Sequence, residues 1–489
     1  MSEDLDFDME VVGDDELDDM GADGTSSSAD DGTRSDRKTT GVEVSEHSRS
    51  DSNRGTGTDE GTALANREEK IFERGGDVEG WKEKTLGSIF DSIYSGGTPK
   101  KGVDEYYGGD LPFVKIEDLN RQQGKGISSA ETHITEKAVE ETSTRAFNVG
   151  TLLLTIYGSL AETALVRNRV ATNQAILGLW DAEEENTLYV KYAIDYDQAK
   201  LQSLSRQTTQ ANLGKGIVAK HRLSVPPLSE QRKIASVLYA VDQAIQKTEA
   251  IIEQAKRVKT GLLQDRIFNV SGPGSVDRRF GPMKFRVPQE WGRVRLEEVT
   301  TLVTRGKQPT YAESGIPVIN QKCIYWDGWY FENARYLDGQ VAEEWKDKYF
   351  PEDGDVVINS TGRGTLGRAQ VYRSSKPRAV DSHVTIVRPD QKKLVPGYLR
   401  YFLESHRGQG LLYSMCVTGS TGQIELSKSK LKLLSIPLPP VKEQHRIVEM
   451  IEQFDQIVRQ NQGYEKQLQD LKKGLMQDLL TGEVRTMGK

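Results

Sequence analysis

PPLSEQRKI at Pro226–Ile234 returns as PPVKEQHRI at Pro439–Ile447, an offset of 213 residues. GLLQD at Gly261–Asp265 returns as GLMQD at Gly474–Asp478 at the same offset. Near the start of each half a tryptophan, a basic stretch and a leucine recur, WKEKTLGSI at Trp81 and WGRVRLEEV at Trp291, at an offset of 210. Unrelated segments would not keep such spacing, so the chain is a tandem duplication, and a repeat decides architecture before any local reading. Each half is a globular region followed by a helix.

The helices follow the proline pairs. Ser229 stands near the N-cap of the first. Apolar or small residues then fall at positions 234, 238, 241, 245, 248, 252, 255 and 262, in alternating steps of four and three. The matching positions of the second half are Ile447, Ile451, Phe454, Val458, Asn461, Glu465, Leu468 and Leu475, with adjacent Tyr464 and Leu471 expected to cover the polar points. A period of 3.5 over four heptads predicts a coiled coil. Some 38 residues at the helical rise make a rod of roughly 57 Å. Two such helices from one chain pack most simply on each other, antiparallel; the alternative is that each packs on its own domain.

The globular regions read as mixed α/β. TLLLTIYG (Thr151–Gly158) and QAILGLW (Gln174–Trp180) read as strands in the first, DVVINST (Asp355–Thr361) and HVTIVRP (His383–Pro389) in the second. A helical stretch follows each pair, around Leu188–Ser203 and Val395–Arg407. The fold expected is α/β: two tandem domains, at 75–228 and 280–440, separated by two long antiparallel coiled-coil helices at 229–270 and 441–484. An acidic tail precedes them at 1–70.

Charge is uneven. Residues 1–60 hold 19 Asp/Glu against 5 Lys/Arg, a net of −14, whereas the whole chain carries −8, so residues 61–489 carry +6. The tail nearly lacks aromatics and cannot bury enough apolar surface to offset its ordering entropy, so it reads as disordered. It is a solubilising extension or, alternatively, a mimic of DNA competing for a basic groove. A modest positive excess in the remainder is compatible with phosphate binding, though an ordinary soluble protein can show it too.

Several chemistries find no motif. Cys323 and Cys416 make no disulfide framework, and the six histidines are scattered. No GxxxxGK[ST] cradle, GxSxG elbow or HExxH pair occurs, and GGTPKKG at Gly96 reads as a turn. No amino-methyltransferase tetrad is present, and no nuclease-like carboxylate cluster is convincingly placed. The N-terminus is acidic where a secretory signal needs cations, and the most apolar stretch, Thr151–Val166, contains Glu162 and Gly158. A cytoplasmic protein without catalysis of its own is expected.

Two polar loops occupy equivalent places before the proline pairs: SLSRQTTQANLGKG (Ser203–Gly216) and VTGSTGQIELSKSK (Val417–Lys430). Hydroxyls, backbone N–H groups and lysines contact phosphates, while Gln and Asn read adenine edges and Arg reads guanine. Such loops can equally be solvated turns. The candidates in the first half are Arg206, Thr208, Thr209, Gln210 and Asn212, and in the second Ser420, Thr421, Gln423 and Lys428. Lys100, Lys101, Tyr157 and Arg363 are further phosphate or base contacts, the last two at matching strand ends beside glycines that allow close approach.

The order GGTPKKGVDEYYGGDLPFVKIEDL (Gly96–Leu119), TTQANL, PPLSEQRKI and GLLQDRIF resembles Type I restriction enzyme specificity subunits, and the second half repeats it with STGQIEL, PLPPVKEQHRI and GLMQDLLTG. The resemblance covers residues 75–484. RGKQPTYAESGIPVI (Arg305–Ile319) departs from it, keeping Gly306 and Pro309 but losing the GGTP and YYGGD words, as a pair of domains reading different sequences would. The resemblance implies a subunit that binds double-stranded DNA. Each globular half would be a target-recognition domain for one half-site of a bipartite, asymmetric target, and the helices a spacer. Two modification subunits holding S-adenosylmethionine would dock on the helices and methylate a flipped-out adenine. Cleavage driven by ATP with Mg would lie in restriction subunits, with no cofactor in this chain. The competing readings are a coiled-coil adaptor that binds proteins, and the specificity module of a different restriction system.

Overall fold

The computed structural model describes residues 78–121, 126–182, 184–205, 212–419 and 424–486, so the acidic tail lies outside it. Two helices dominate, Leu228–Ile267 of 40 residues and Val441–Thr481 of 41, each about 60 Å long. Pro227 and Pro440 are the N-caps, with φ of −54° and −52° and no side-chain cap bond. Ser229 therefore sits in the first turn and is not the cap. Proline starts both helices because it has no N–H to leave unpaired and its φ is already helical.

The repeated Glu-Gln of the motif has a structural task. Gln231 is buried; its Oε1 accepts from the Asn186 backbone N–H at 2.8 Å and its Nε2 donates to Pro226 O at 2.9 Å. Gln444 does the same with Val395 N–H at 2.7 Å and Pro439 O at 2.9 Å. Asn186 and Val395 are the N-caps of helices Thr187–Tyr196 and Pro396–Glu404. One buried amide thus splices each long helix to a helix of its own globular half.

The long helices pack on each other antiparallel. Lys472 pairs with Asp242 at 2.7 Å and Lys259 with Asp455 at 2.5 Å, so 17 residues forward on one helix correspond to 17 back on the other. The seam expected from the heptads is buried or half-buried throughout. Tyr464 and Leu471 are a correction. They are 61% and 50% exposed, because each stands one residue before a seam position, and the seam there is filled by half-buried Asn461, Glu465 and Leu468. The ends of the helices cross over. Leu479 and Leu480 join the core of the first half, while Leu263, Ile267 and Phe268 join that of the second. Each fully buried leucine contributes roughly 1.5–3 kcal/mol, so each half is completed by the other's helix.

Both halves repeat one topology. Lys82–Thr85 pairs antiparallel with Arg222–Val225, and Gly292–Arg295 with Ser435–Leu438, which explains the tryptophan words. Trp81 Nε1 donates to Glu230 at 3.3 Å, and Trp291 is buried in the second core. The main sheet orders Ser92–Ser95, Ile176–Trp180, Leu152–Thr155 and Thr163–Leu165 in the first half. Thr300–Arg305, Val384–Pro389, Val356–Asn359 and Ala369–Val371 repeat that order in the second. The central strands are buried on both faces. Leu152 and Leu154 face the helices while Leu153 faces a second core, and Val356, Ile358 and Val357 divide likewise.

A small sheet covers each main sheet, with one parallel pairing: Phe113 and Val114 beside Ala171 and Thr172, and Val318 and Ile319 beside Ala379 and Val380. The helical stretches expected as single units are each broken in two, Thr187–Tyr196 with Gln198–Ser205, and Pro396–Glu404 with His406–Cys416. A hairpin of Ser275–Phe280 and Met283–Pro288, unforeseen from the sequence, opens the second half.

Candidate nucleic-acid interface

In the first half the strand Ser92–Ser95 runs out into Gly96-Gly97, which stitches the main sheet to the small one. Gly96 N–H donates to Ile176 O and Gly97 N–H to Thr172 O, both at 3.0 Å. A Cβ on Gly96 would lie 2.2 Å from Thr172 O, so the glycine is obligatory for close approach. On the other side of this edge Ile156 N–H donates to Ala175 O at 2.9 Å and Leu213 N–H to Ile156 O at 3.0 Å. Four stretches distant in sequence therefore meet: Gly96–Lys101, Asn173–Ala175, Ile156–Gly158 and Asn212–Lys215.

A shallow cavity of about 590 Å³ opens there, lined among others by Tyr94, Thr98, Arg145, Gln174 and Lys215. The Arg145 guanidinium lies 4.4 Å from the Tyr94 ring centre and Lys215 Nζ 4.5 Å from it. One exposed aromatic ring thus holds two cations in place. Among the described residues none of Lys100, Lys101, Arg145 and Lys215 sits in an ion pair, so their charge is available to an external anion.

The second half rebuilds the edge with different side chains. Gly306 N–H donates to Val384 O at 2.9 Å, Lys307 N–H to Val380 O at 3.3 Å and Leu426 N–H to Ser360 O at 2.8 Å. A Cβ on Gly306 would lie 2.1 Å from Asp381 O, the same constraint as at Gly96. Lys307 Nζ stands 5.1 Å from the Trp345 ring centre. Thr361 accepts from Gln321 Nε2 at 2.6 Å and lies 3.0 Å from His383 Nδ1. Arg305 is tied into the wall by Glu425 and by donation to Leu426 O at 3.1 Å, so it is not free to bind.

The residues expected from sequence divide. Lys100 and Lys101 are exposed at this edge, and Tyr157 is 43% exposed. Asn212 is half-buried beside them. Arg363 is exposed between Gly362 and Gly364, both with left-handed φ. Lys428 is exposed but opens the helix Lys428–Lys432 capped by Ser427, where a polar loop was expected. Arg206, Thr208, Thr209, Gln210, Ser420, Thr421 and Gln423 lie outside the described residues. Tyr94, Arg145 and Lys307 were missed, and Lys215 was passed over within a loop otherwise singled out; only the fold brings them to the edge.

Among the described residues no three His, Cys, Asp or Glu side chains group to hold a metal. Burial pushes the Cys323 thiol up to about 11 and the Cys416 thiol up to about 12, so neither is a ready nucleophile. No helix among the described residues is long and apolar enough to cross a membrane.

A family model described as the Type I restriction modification DNA specificity domain matches residues 78–257 and 288–470. The specificity subunit of the type I restriction enzyme MjaIX from Methanocaldococcus jannaschii is 24% identical over 415 residues, 83% of this chain and 94% of that protein. That of MjaVIII from the same organism is 24% identical over 422 residues, 83% of this chain and 93% of that protein. A crystal structure of the S subunit of a Type-I restriction-modification system from M. genitalium matches with a TM-score of 0.53 at 15% identity, covering 82% of this chain and 96% of that one.

Proposed function

The chain belongs to the Type I restriction modification DNA specificity family, and on that premise we propose that it is the DNA-specificity subunit of a type I restriction-modification complex. It recognises a bipartite, asymmetric duplex target. The observation that carries this is the recurrence of one sheet edge, with the same backbone stitching and unpaired or aromatic-held cations, in both halves of a duplicated chain. Each edge would take one half-site, and different side chains on equivalent frames suit two different sequences. The division into recognition domains at 75–228 and 280–440 and spacer helices at 229–270 and 441–484 is part of this reading.

The paired helices act as a coiled-coil spacer whose register sets the gap between half-sites. They also offer a docking flank. Ile251 and Val258 are exposed on the first helix, as are their repeat equivalents Tyr464 and Leu471 on the second. The two-fold relating an antiparallel pair maps each flank of the pair onto itself, so these four share one flank. An exposed apolar stripe of this kind marks an interaction surface, here for two modification subunits. The chemistry would lie in those partners: S-adenosylmethionine in the modification subunits, ATP and Mg²⁺ in restriction subunits, all in the cytoplasm.

Salt-dependent binding of the chain with its modification partner to a duplex of mixed sequence tests the DNA half of this reading. Log affinity should fall linearly with log salt, by about 0.9 per phosphate neutralised. A complex that binds no duplex even at low salt would instead be an adaptor.

A further inference from the structure

Thr98 Oγ1 donates to Gln174 Oε1 at 2.6 Å, across the gap between the two stretches that Gly96 stitches together. At the equivalent gap of the second half Ser382 Oγ donates to Gln308 Oε1 at 2.7 Å. The backbone frames match bond for bond, Gly96 with Gly306 and Ile176 with Val384. Thr98 and Gln308 therefore occupy one position of the frame, and Gln174 and Ser382 the other. The same hydroxyl–amide pair stands at both edges with its two members exchanged between strands. The surrounding words have diverged, GGTPKKG against RGKQPTY, yet a clamped amide is present at both.

We propose that Gln174 and Gln308 each read an adenine, one in each half-site, and that Thr98 and Ser382 are positioning residues that hold the amides in reading orientation. This rests on the specificity-subunit reading. A carboxamide has two oxygen lone pairs and two N–H donors. The hydroxyl occupies one lone pair. What remains, one acceptor and two donors on an exposed side chain, is the set that pairs bidentately with adenine N6–H and N7 in the major groove. A clamped amide also has less rotamer freedom to lose on binding. Gln174 lines the cavity beside Arg145 and Lys215, which sit where they can hold the backbone flanking the base being read. Lys307, next in the chain to Gln308, is placed to do so in the second half.

The test is sequencing of duplexes selected from a random pool by the chain with its modification partner. Wild type, Gln174→Ala, Gln308→Ala, Thr98→Val and Thr98→Ser are compared. Gln174→Ala should lose about tenfold to a hundredfold of its preference for adenine at one position of one half-site, leaving the other half-site intact. Gln308→Ala should do the converse. Thr98→Val should give a smaller loss at the position lost in Gln174→Ala, and Thr98→Ser should retain the preference. Both glutamines are exposed, so the melting temperature should not change. Unchanged preferences at every position, a uniform loss across sequences, or a lost preference for a base other than adenine would overturn the proposal. A wild type with no sequence preference would overturn the specificity-subunit reading itself, and is distinguishable from those results.

Discussion

Lys472 Nζ lies 2.7 Å from Asp242 Oδ1, and the duplication carries the same pair to Lys259 and Asp455, 2.5 Å apart, with donor and acceptor helices exchanged. Each aspartate also accepts from a tyrosine of its own globular half, Tyr192 to Asp242 at 2.7 Å and Tyr401 to Asp455 at 2.8 Å. Arg400 adds a second cation to Asp455 at 3.0 Å. One carboxylate therefore fixes the register of the two long helices and ties a recognition half to it. If the helices set the gap between half-sites, these pairs are what hold that gap.

Removing one partner of such a pair should be costly. Asp455→Ala leaves the Tyr401 hydroxyl without its acceptor and Lys259 and Arg400 with Glu404 alone, at 2.6 and 3.0 Å, for a loss of about 1–3 kcal/mol. Asp242→Ala should fall at or below that range, since Lys472 is more exposed than Lys259. The charge-swapped double variant Asp242→Lys with Lys472→Asp should recover much of the loss of its single parents. Denaturant midpoints of the four chains measure this. Additive losses in the double variant would show that the pair does not couple.

Acid should weaken the same joint. Burial alone would raise the Asp455 carboxyl, but Lys259 and Arg400 beside it outweigh that and hold it below its ordinary value of 3.8. Glu230, buried against Arg485 and Trp81, is likewise held below 4.5. A carboxylate with a depressed folded pKa binds fewer protons than the unfolded chain does. Its stabilisation is complete above the ordinary carboxylate range and is lost as pH falls through the folded value. Stability measured against pH should therefore hold down to about pH 5 and decline below it, and Asp455→Asn should make that decline shallower. An acid limb identical in wild type and variant would contradict this.

The repeated proline word should matter for folding and not for target choice. Gln231→Ala or Gln444→Ala strands a buried N–H and a buried carbonyl, for about 1–3 kcal/mol each. Selected target sequences should be unchanged. A changed target with unchanged stability would move these residues into the DNA interface.

Arg145 and Lys215 should act through charge. Alanine at either should weaken binding about equally for all sequences and reduce the slope of log affinity against log salt by about 1. A loss confined to one sequence would mark the residue as a base reader instead.

The exposed flank separates docking from folding. Ile251→Asp with Tyr464→Asp should leave thermal stability within about 0.5 kcal/mol per site, since neither side chain is buried, and abolish co-purification with the modification subunit. Retained co-purification would place the docking surface elsewhere.

What the sequence carried plainly was the period. The offset of 213 and the 4-3 spacing placed both long helices to within three residues, because heptads and proline starts are local signals. Tyr464 and Leu471 misled because apolar character does not distinguish a seam position from its neighbour when the seam itself holds Asn461 and Glu465. The small sheets escaped because most of their strands are two to four residues long and their partners are distant. At the interface Lys100, Lys101, Tyr157 and Arg363 pointed toward the edges, but Gly96 read only as a turn, and the working side chains were not legible. Thr98 aligns with Gln308 and Gln174 with Ser382, so in sequence the repeated pair looks like two unrelated substitutions. Only the fold shows it as one pair reversed.

The most direct test of the specificity-subunit reading is to select from a random duplex pool with the chain and its modification partner and sequence what binds. The account predicts two short, different motifs enriched at one fixed spacing, in wild type and in Gln231→Ala alike. Enrichment of a single motif, of two motifs at variable spacing, or of none would contradict it.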